Sequence, residues 1–240
     1  MSHEVASIFS ARAIPTRNGI VNMPYSLSYF SGEGSNYPPE YINPHSEYRH
    51  RFQDMSLWIA QTLGEGHLLD VGGGLGHLGY WMEQIQPHIR VLNTDYSFDA
   101  LKEGSKNYSH KSVNLSADKL PFKEESFDGV IFADVLEHLT PEQAEKALTE
   151  AHKVLKPHAH IFINIPNRNS WSNKTFKEPT HLWIPSIKDM ITALSLIGFT
   201  NIHTSTRGFP FSKTLRPIIK KDIHLPILGT SIFIEATKNP

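Results

Sequence analysis

From His45 onward, apolar and polar positions follow two alternating periods. Phe52, Met55, Ile59 and Leu63 recur every three or four residues, which predicts a helix over 45–63 with one apolar face, stopped by Gly64 and Gly66. His67–Val71 is a short apolar run and predicts a strand. A glycine stretch, Gly72–Gly76, separates it from a helical pattern over His77–Gln86, which Pro87 closes. The unit then repeats: a strand over Ile89–Thr94 ending at Asp95, a helix over Phe98–Asn107, a short strand near Ser112–Leu115 and a strong one at Phe127–Ala133. Pro141 opens a long helix to Leu155, where the missing proline N–H costs nothing, and Lys156-Pro157 ends it. A strand over His160–Ile165, a loop from Pro166 to Ile184, a helix from Pro185 to Leu196 capped by Gly198, and strands Phe199–Thr206 and Thr230–Thr237 follow.

Strands alternating with helices predict a doubly wound α/β fold, a parallel sheet covered on both faces, in a single domain over 45–240. The last two strands are joined only by the insertion Arg207–Gly229, without a full helix. That predicts an antiparallel pair at a sheet edge. Residues 1–44 carry no clear period; Tyr25, Tyr29, Phe30, Tyr37 and Tyr41 are interleaved with Gly, Ser, Asn and Pro38-Pro39. This arm is read either as an extension packed on the core by its aromatics or as a lid over cofactor or substrate.

Composition narrows the function classes. A chain of 240 residues with 39% hydrophobic and 20% charged residues suits one sizeable core. The net charge of -1 supplies no general attraction to nucleic acid, and none is expected as a partner. The absence of cysteine excludes disulfides, thiolate catalysis and Cys-ligated metal and agrees with a cytoplasmic protein. No run is apolar enough to span a membrane, and Met1–Ala13, with Glu4 and no sustained apolar core, does not read as a signal peptide. Oligomeric state is not legible.

The glycine stretch is where chemistry begins. Asp70-Val71-Gly72-Gly73-Gly74-Leu75-Gly76 fits D-x-G-x-G-x-G, while Gly74, Gly76 and Gly79 also fit G-x-G-x-x-G. Asp95 lies about twenty residues on, where an acid that accepts from ribose hydroxyls belongs. By themselves these residues serve a nicotinamide cofactor, in an NAD-dependent oxidoreductase, or S-adenosylmethionine.

Four further segments decide between them. Ser116-Ala117-Asp118-Lys119-Leu120-Pro121-Phe122, Ser126-Phe127-Asp128, Val135-Leu136-Glu137-His138-Leu139 and Lys153-Val154-Leu155-Lys156-Pro157 follow in order. With the glycine turn, the chain over about 55–206 resembles the class I S-adenosylmethionine-dependent methyltransferases, of the small-molecule type. The resemblance implies a Rossmann-like, mostly parallel sheet of seven strands with the last antiparallel, and S-adenosylmethionine as cofactor. It implies that Asp70 and the backbone of Gly72, Gly73, Gly74 and Gly76 hold the methionine part. Asp95 would hold the ribose, Tyr96 would lie beside the adenine, and Asp134 beside the sulfonium. Where many relatives carry an acid before L-P-F, this chain has Ser116, with the Ala117 N–H next to it for the adenine ring. Gly79, Phe122, Phe127 and Asp128 read as structural.

The expected reaction is methylation of a small molecule, at a hydroxyl. A neutral hydroxyl needs a base, and histidine titrates in the right range. His138, just past the fourth strand, and His181, in the loop after the fifth, lie where an open α/β sheet binds substrate. Trp183, and then Trp171, are wall candidates. Asp134, Glu137, His138 and His181 also resemble, imperfectly, the E-x-x-E-H plus later His metal site of small-RNA 2′-O-methyltransferases. Ubiquinone-pathway O-methyltransferases have a related segment. This keeps a metal-assisted RNA or macromolecule methyltransferase as the alternative, although no metal is expected. No Asn-Pro-Pro-Tyr motif follows the fourth strand, which speaks against exocyclic amines of DNA bases. Lys213, Arg216, Lys220 and Lys221, beside Ile218, Ile219, Leu225 and Leu228, read as a crossover loop with its lysines in water, with an anionic or lipid-linked substrate patch as the other reading.

Overall fold

The apolar run after Gly66 forms β1 (Gly66–Val71), and its neighbours explain its composition. It pairs in parallel with β2 (Ile89–Asp95), from Gly66↔Ile89 to Val71↔Thr94, and with β4 (Phe127–Ala133), from Leu68↔Gly129 to Val71↔Phe132. A central parallel strand is covered on both faces, so Leu68, Leu69 and Val71 are all fully buried. The computed structural model describes residues 5, 27–31, 39–43, 45–46, 49–170, 180–207 and 229–240. Tyr25, Tyr37, Trp171 and the apolar and basic residues of the 207–229 insertion named above lie outside the described residues.

The sheet has seven strands in the order β3-β2-β1-β4-β5-β7-β6. Strands β3 (Lys111–Asn114), β5 (Leu155–Pro166), β6 (Phe199–Arg207) and β7 (Ser231–Lys238) complete it. β7 runs antiparallel to both β5 and β6, so the last strand is the reversed one. Of the expected antiparallel pair only β6 is the edge; β7 lies inside the sheet. The side chains account for the order. Ile232, Phe233, Ile234 and Ala236 of β7 are buried, whereas Thr200, Asn201 and His203 of β6 face water. β5 starts five residues earlier than its alternating run suggests, because Leu155 pairs with Phe127 before a register shift brings His160 opposite Gly129.

Helices cover both faces. Period two in β1 sends Leu68 to one side and Leu69 and Val71 to the other. On the first side, α1 (Arg49–Thr62) and α2 (His77–Ile85) bring Phe52, Met55, Ile59, Leu78 and Met82 onto Leu68, Ile131 and Phe162. On the second, α4 (Pro141–Val154) and α5 (Ile187–Ile197) bring Ala147, Leu148, Met190 and Leu194 onto Leu69, Val130 and Ile163. α3 (Phe98–Gly104) connects β2 to β3, its first turn capped by the Ser97 hydroxyl, which accepts from the Ala100 N–H. Capping boxes at Thr140 with Gln143 and at Ser186 with Asp189 set the starts of α4 and α5. Asp128 is structural: it accepts from the His67 N–H at 2.9 Å and pairs with Lys156 at 2.6 Å. Phe122 and Phe127 pack edge to face in the core.

Two described parts of the arm lie on this frame. A helical turn at Leu27–Phe30 buries Tyr29 and Phe30 against Leu75 and Ala100. A 3₁₀ turn at Pro39–Ile42 places Tyr41 against Phe52 and His77. Connections leave β1 and β4 in opposite directions along the sheet, and the crevice outside their carboxyl ends is the topological switch point where open α/β sheets bind ligands. The carboxyl ends of β1, β2 and β4 carry Asp70–Gly76, Asp95 and Asp134–His138.

Candidate functional site

The turn after β1 is shaped by the space it leaves. Gly74 has φ +53 and Gly76 φ +83, the left-handed region that glycine enters without a Cβ clash. At Gly73 conformation is not the constraint; a Cβ would run into the Asn93 and Asp70 side chains. The turn is tied to β2 by the Gly72 and Gly73 N–H groups, which both donate to the Thr94 carbonyl, at 2.8 and 3.0 Å. The Thr94 hydroxyl donates to the Asp70 carbonyl at 2.9 Å. Asn93, a residue the sequence did not single out, is buried and donates from Nδ2 to the Gly74 carbonyl at 3.2 Å.

Asp70 is buried, and neither carboxylate oxygen has a hydrogen-bond partner among the described residues. Burial pushes its carboxyl up to about 7, with the Asp95 charge adding to the rise. An orphaned buried carboxylate is costly in a finished structure and calls for a partner with positive charge and donors. The ammonium of an amino-acid moiety has both. The residues therefore fit the methionine end of S-adenosylmethionine.

Asp95 is also buried, and burial raises its carboxyl above the ordinary value. Its two oxygens are in use: Oδ2 accepts from the Gly74 N–H at 2.8 Å and Oδ1 from the Ser97 N–H at 2.7 Å. Each oxygen retains lone pairs for ribose hydroxyls. Tyr96, the residue after β2, is 69% exposed. Ser116 and Ala117 are half-buried on the loop after β3. The Ser116 hydroxyl lies 2.5 Å from Asp118 Oδ1 and donates to it. An acid thus stands directly behind the Ser116 hydroxyl, a contact that the expectation for Ser116 did not include.

The far side of the crevice is built by Asp134–His138. Asp134 has φ +54, its N–H donates to the Asn164 carbonyl at 2.9 Å, and its carboxylate pairs with Arg51 of α1. Arg51 also donates to Asn164 Oδ1 at 3.0 Å. Asp134 is therefore held by a cation of the chain itself and stands outside the group formed by Glu137, His138 and His181. In that group three donor atoms, one from each residue, lie within 4.8 Å of one another.

Backbone contacts assemble the group. The 3₁₀ turn Leu136–His138 buries Glu137 completely. The Leu182 N–H donates to the Glu137 carbonyl at 2.8 Å, and Trp183 Nε1–H to the Leu139 carbonyl at 2.8 Å. These bonds pin residues 180–183 onto 137–139 and bring the His138 and His181 rings to 4.9 Å. Trp183 is fully buried, so it supports the site from behind instead of facing a substrate as a wall. Burial pushes Glu137 up to about 8; its own amide and the Arg51 guanidinium pull the other way, neither in hydrogen-bonding geometry. Burial lowers His138 to about 3, with His181 adding to the drop, and lowers His181 to about 4. Both imidazoles are neutral at pH 7.

Sequence reasoning missed His110 and named Phe30 only among the arm's aromatics, without placing it on the glycine turn. Phe30 lies so close to Gly74 that a Cβ there would touch its ring at 2.9 Å, and His110 stands against Gly76 and Gly79. Both meet the turn from regions without a motif, and no local signal marks them.

A model of a methyltransferase domain matches residues 69–163. A ubiquinone/menaquinone biosynthesis C-methyltransferase UbiE of Desulfotalea psychrophila is 31% identical over 97 residues, covering 39% of each chain. The UbiE of Brucella canis is 27% identical over 183 residues, covering 70% of this chain and 65% of its own. The chain thus spans less than two thirds of the length of either relative. Among solved structures, a possible histamine N-methyltransferase of Thermotoga maritima superposes with TM-score 0.63 at 19% identity, over 80% of this chain and 91% of its own. The [4+2]-cyclase SpnF superposes with TM-score 0.61 at 16% identity, over 82% and 85%. The cyclase shows that this fold does not dictate the reaction. The strand order departs from the 3-2-1-4-5-6 of nicotinamide-binding sheets by the reversed β7 between β5 and β6. With the glycine turn and the methyltransferase domain matched over residues 69–163, the fold and the cofactor turn are those of a class I S-adenosylmethionine-dependent methyltransferase.

Proposed function

We propose that the chain moves a methyl group from S-adenosylmethionine to a hydroxyl of a small molecule. The observation that carries this reading is the pair of sites at the switch point: an unpartnered buried carboxylate, Asp70, on one side and the His138–His181 pair on the other. In the bound state the cofactor supplies an electrophilic methyl group on a sulfonium that leaves as a neutral thioether. Asp70 holds the ammonium, and the backbone of Gly72, Gly73, Gly74 and Gly76 lies along the methionine part. Asp95 holds the ribose hydroxyls. Tyr96, the Ala117 N–H and Ser116 backed by Asp118 meet the adenine. Asp134, neutralised by Arg51, lines the sulfonium side.

The chain's task is then alignment of acceptor and methyl, and removal of a proton. His181, with His138 beside it, is the acceptor-facing candidate to receive the proton that the hydroxyl loses as the oxygen–carbon bond forms. A small-molecule acceptor agrees with the net charge of -1. Among the described residues no helix is long and apolar enough to cross a membrane, and we place the protein in the cytoplasm.

The names of the UbiE relatives favour a second reading, transfer to carbon. It uses the same cofactor residues and differs only in the acceptor atom. The deciding experiment incubates the purified chain with methyl-labelled S-adenosylmethionine and a panel of phenols, catechols and quinols, and locates the label in the product by NMR. A methyl on oxygen is expected; label on ring carbon alone overturns the hydroxyl assignment. Calorimetry showing NAD binding and no S-adenosylhomocysteine binding overturns the methyltransferase reading itself.

A further inference from the structure

We infer that Glu137, His138 and His181 form a binding site for one divalent transition cation of the zinc type, at the acceptor end of the crevice. The donor set is two imidazoles and one carboxylate, which suits Zn²⁺ and its first-row neighbours and leaves coordination positions open for an oxygen ligand. Donors around tetrahedral zinc stand about 3.3 Å apart, given bond lengths near 2.0–2.1 Å. Here the donor atoms are within 4.8 Å of one another, with His181 Nε2 4.0 Å from Glu137 Oε1, so modest side-chain adjustment closes the set.

A second observation is independent of that spacing. Glu137 is completely buried, and neither of its oxygens has a hydrogen-bond partner among the described residues. Arg51, whose charge acts on Glu137, is engaged by Asp134 and Asn164 and does not bond it. A bare carboxylate enclosed with two imidazoles is destabilising unless protonated or paired with a cation. His138 is also prepared as a ligand. Its Nδ1 lies 3.2 Å from the Thr180 carbonyl, which only accepts, so Nδ1 carries the proton and Nε2 the lone pair. A backbone carbonyl fixing the tautomer in this way is the usual outer partner of a metal-binding histidine. Asp134 is kept out of the ligand set by its bond to Arg51, so among the described residues the site has three protein donors.

What the cation does rests on the acceptor reading above: it would bind the hydroxyl oxygen and stabilise its deprotonated form, the task that falls to His181 as proton acceptor when no cation is bound. Its binding does not depend on that reading. The test uses the full chain stripped with chelator and titrated calorimetrically with Zn²⁺ alone. One equivalent should bind to the wild type, at least tenfold more weakly to Glu137→Gln and His181→Ala. Weak sites at other histidines are common to wild type and Glu137→Gln and cancel in the comparison. Both variants should bind S-adenosylhomocysteine as the wild type does, which also reports that they are folded. Equal Zn²⁺ binding by wild type and Glu137→Gln, or no stoichiometric binding by the wild type, overturns the inference. Zn²⁺ binding without S-adenosylhomocysteine binding by the wild type leaves the cation site standing and overturns the methyltransferase reading instead.

Discussion

The Gly74 N–H donates to Asp95 Oδ2 at 2.8 Å, so the acid at the end of β2 closes the glycine turn that leaves β1. One carboxylate thereby serves the scaffold and, in the proposed reading, also the ribose. Asp95→Ala should do two things at once. It leaves the Gly74 and Ser97 N–H groups unsatisfied, a loss of about 1–3 kcal/mol per buried group that a thermal melt will register. It should also weaken S-adenosylhomocysteine binding at least tenfold by calorimetry. Full affinity in the variant would exclude the ribose role.

Gly73→Ala tests the close approach of backbone to ligand. The new methyl would overlap Asn93 and Asp70, so both side chains must move. Cofactor affinity should fall at least tenfold, and more steeply than for Gly64→Ala, where a Cβ meets nothing within 4 Å.

The Asp70 carboxyl makes cofactor binding depend on pH. Burial raises it to about 7, and only the ionised form pairs with an ammonium. Affinity for S-adenosylhomocysteine should be flat above pH 7 and fall as pH drops below it. Stability without ligand runs the other way. The folded state holds this proton more tightly than the unfolded chain, so the stabilisation is complete below the unfolded pKa near 3.8 and is lost as pH rises through about 7. Asp70→Asn should remove this contribution to both dependences, as calorimetry and melts across pH 5–8 will show.

Phe30 separates the two readings of the arm. Its buried ring lies against Gly74, over the turn. If the arm is a lid, Phe30→Ala should speed S-adenosylhomocysteine release at least threefold in stopped flow. Unchanged release would mean that the arm is only packed there.

His77 ties the other described part of the arm to the frame. Its Nε2–H donates to the Tyr41 carbonyl at 2.7 Å, and Nδ1 accepts from the Tyr108 hydroxyl at 2.5 Å. His77→Phe keeps a ring but strands both partners, so a loss of about 1–3 kcal/mol is expected in chemical denaturation. Burial lowers this imidazole to about 4 from an ordinary value of 6.5, so the unfolded wild type takes up a proton at pH 6 that the folded state does not, and the loss should be smaller at pH 6 than at pH 8.

Much of the frame was legible before the structure. Alternating periods mark every strand and the main helices, because burial of a sheet face or helix stripe writes itself into residues two, three or four apart. Asp70, the glycines and Asp95 form a local unit within some 25 residues, which is why a sequence motif captures them. The place of β7 inside the sheet was not legible, since it depends on which neighbour covers which face. Nor was the role of Asp134, whose partner Arg51 lies 83 residues away on α1.

By itself, then, the sequence determined the fold class and the cofactor turn, because each is encoded by spacing along the chain, whereas the meeting of His138 with His181 was decided by the contacts that pin residues 180–183 onto 137–139. Tertiary structure alone decided that Asp118 stands behind Ser116, that Trp183 supports the site from behind, and that Glu137 is enclosed without a hydrogen-bond partner among the described residues. Those facts depend on burial and on contacts between distant segments: desolvation is set by everything packed around a group, and no stretch of sequence contains its own surroundings.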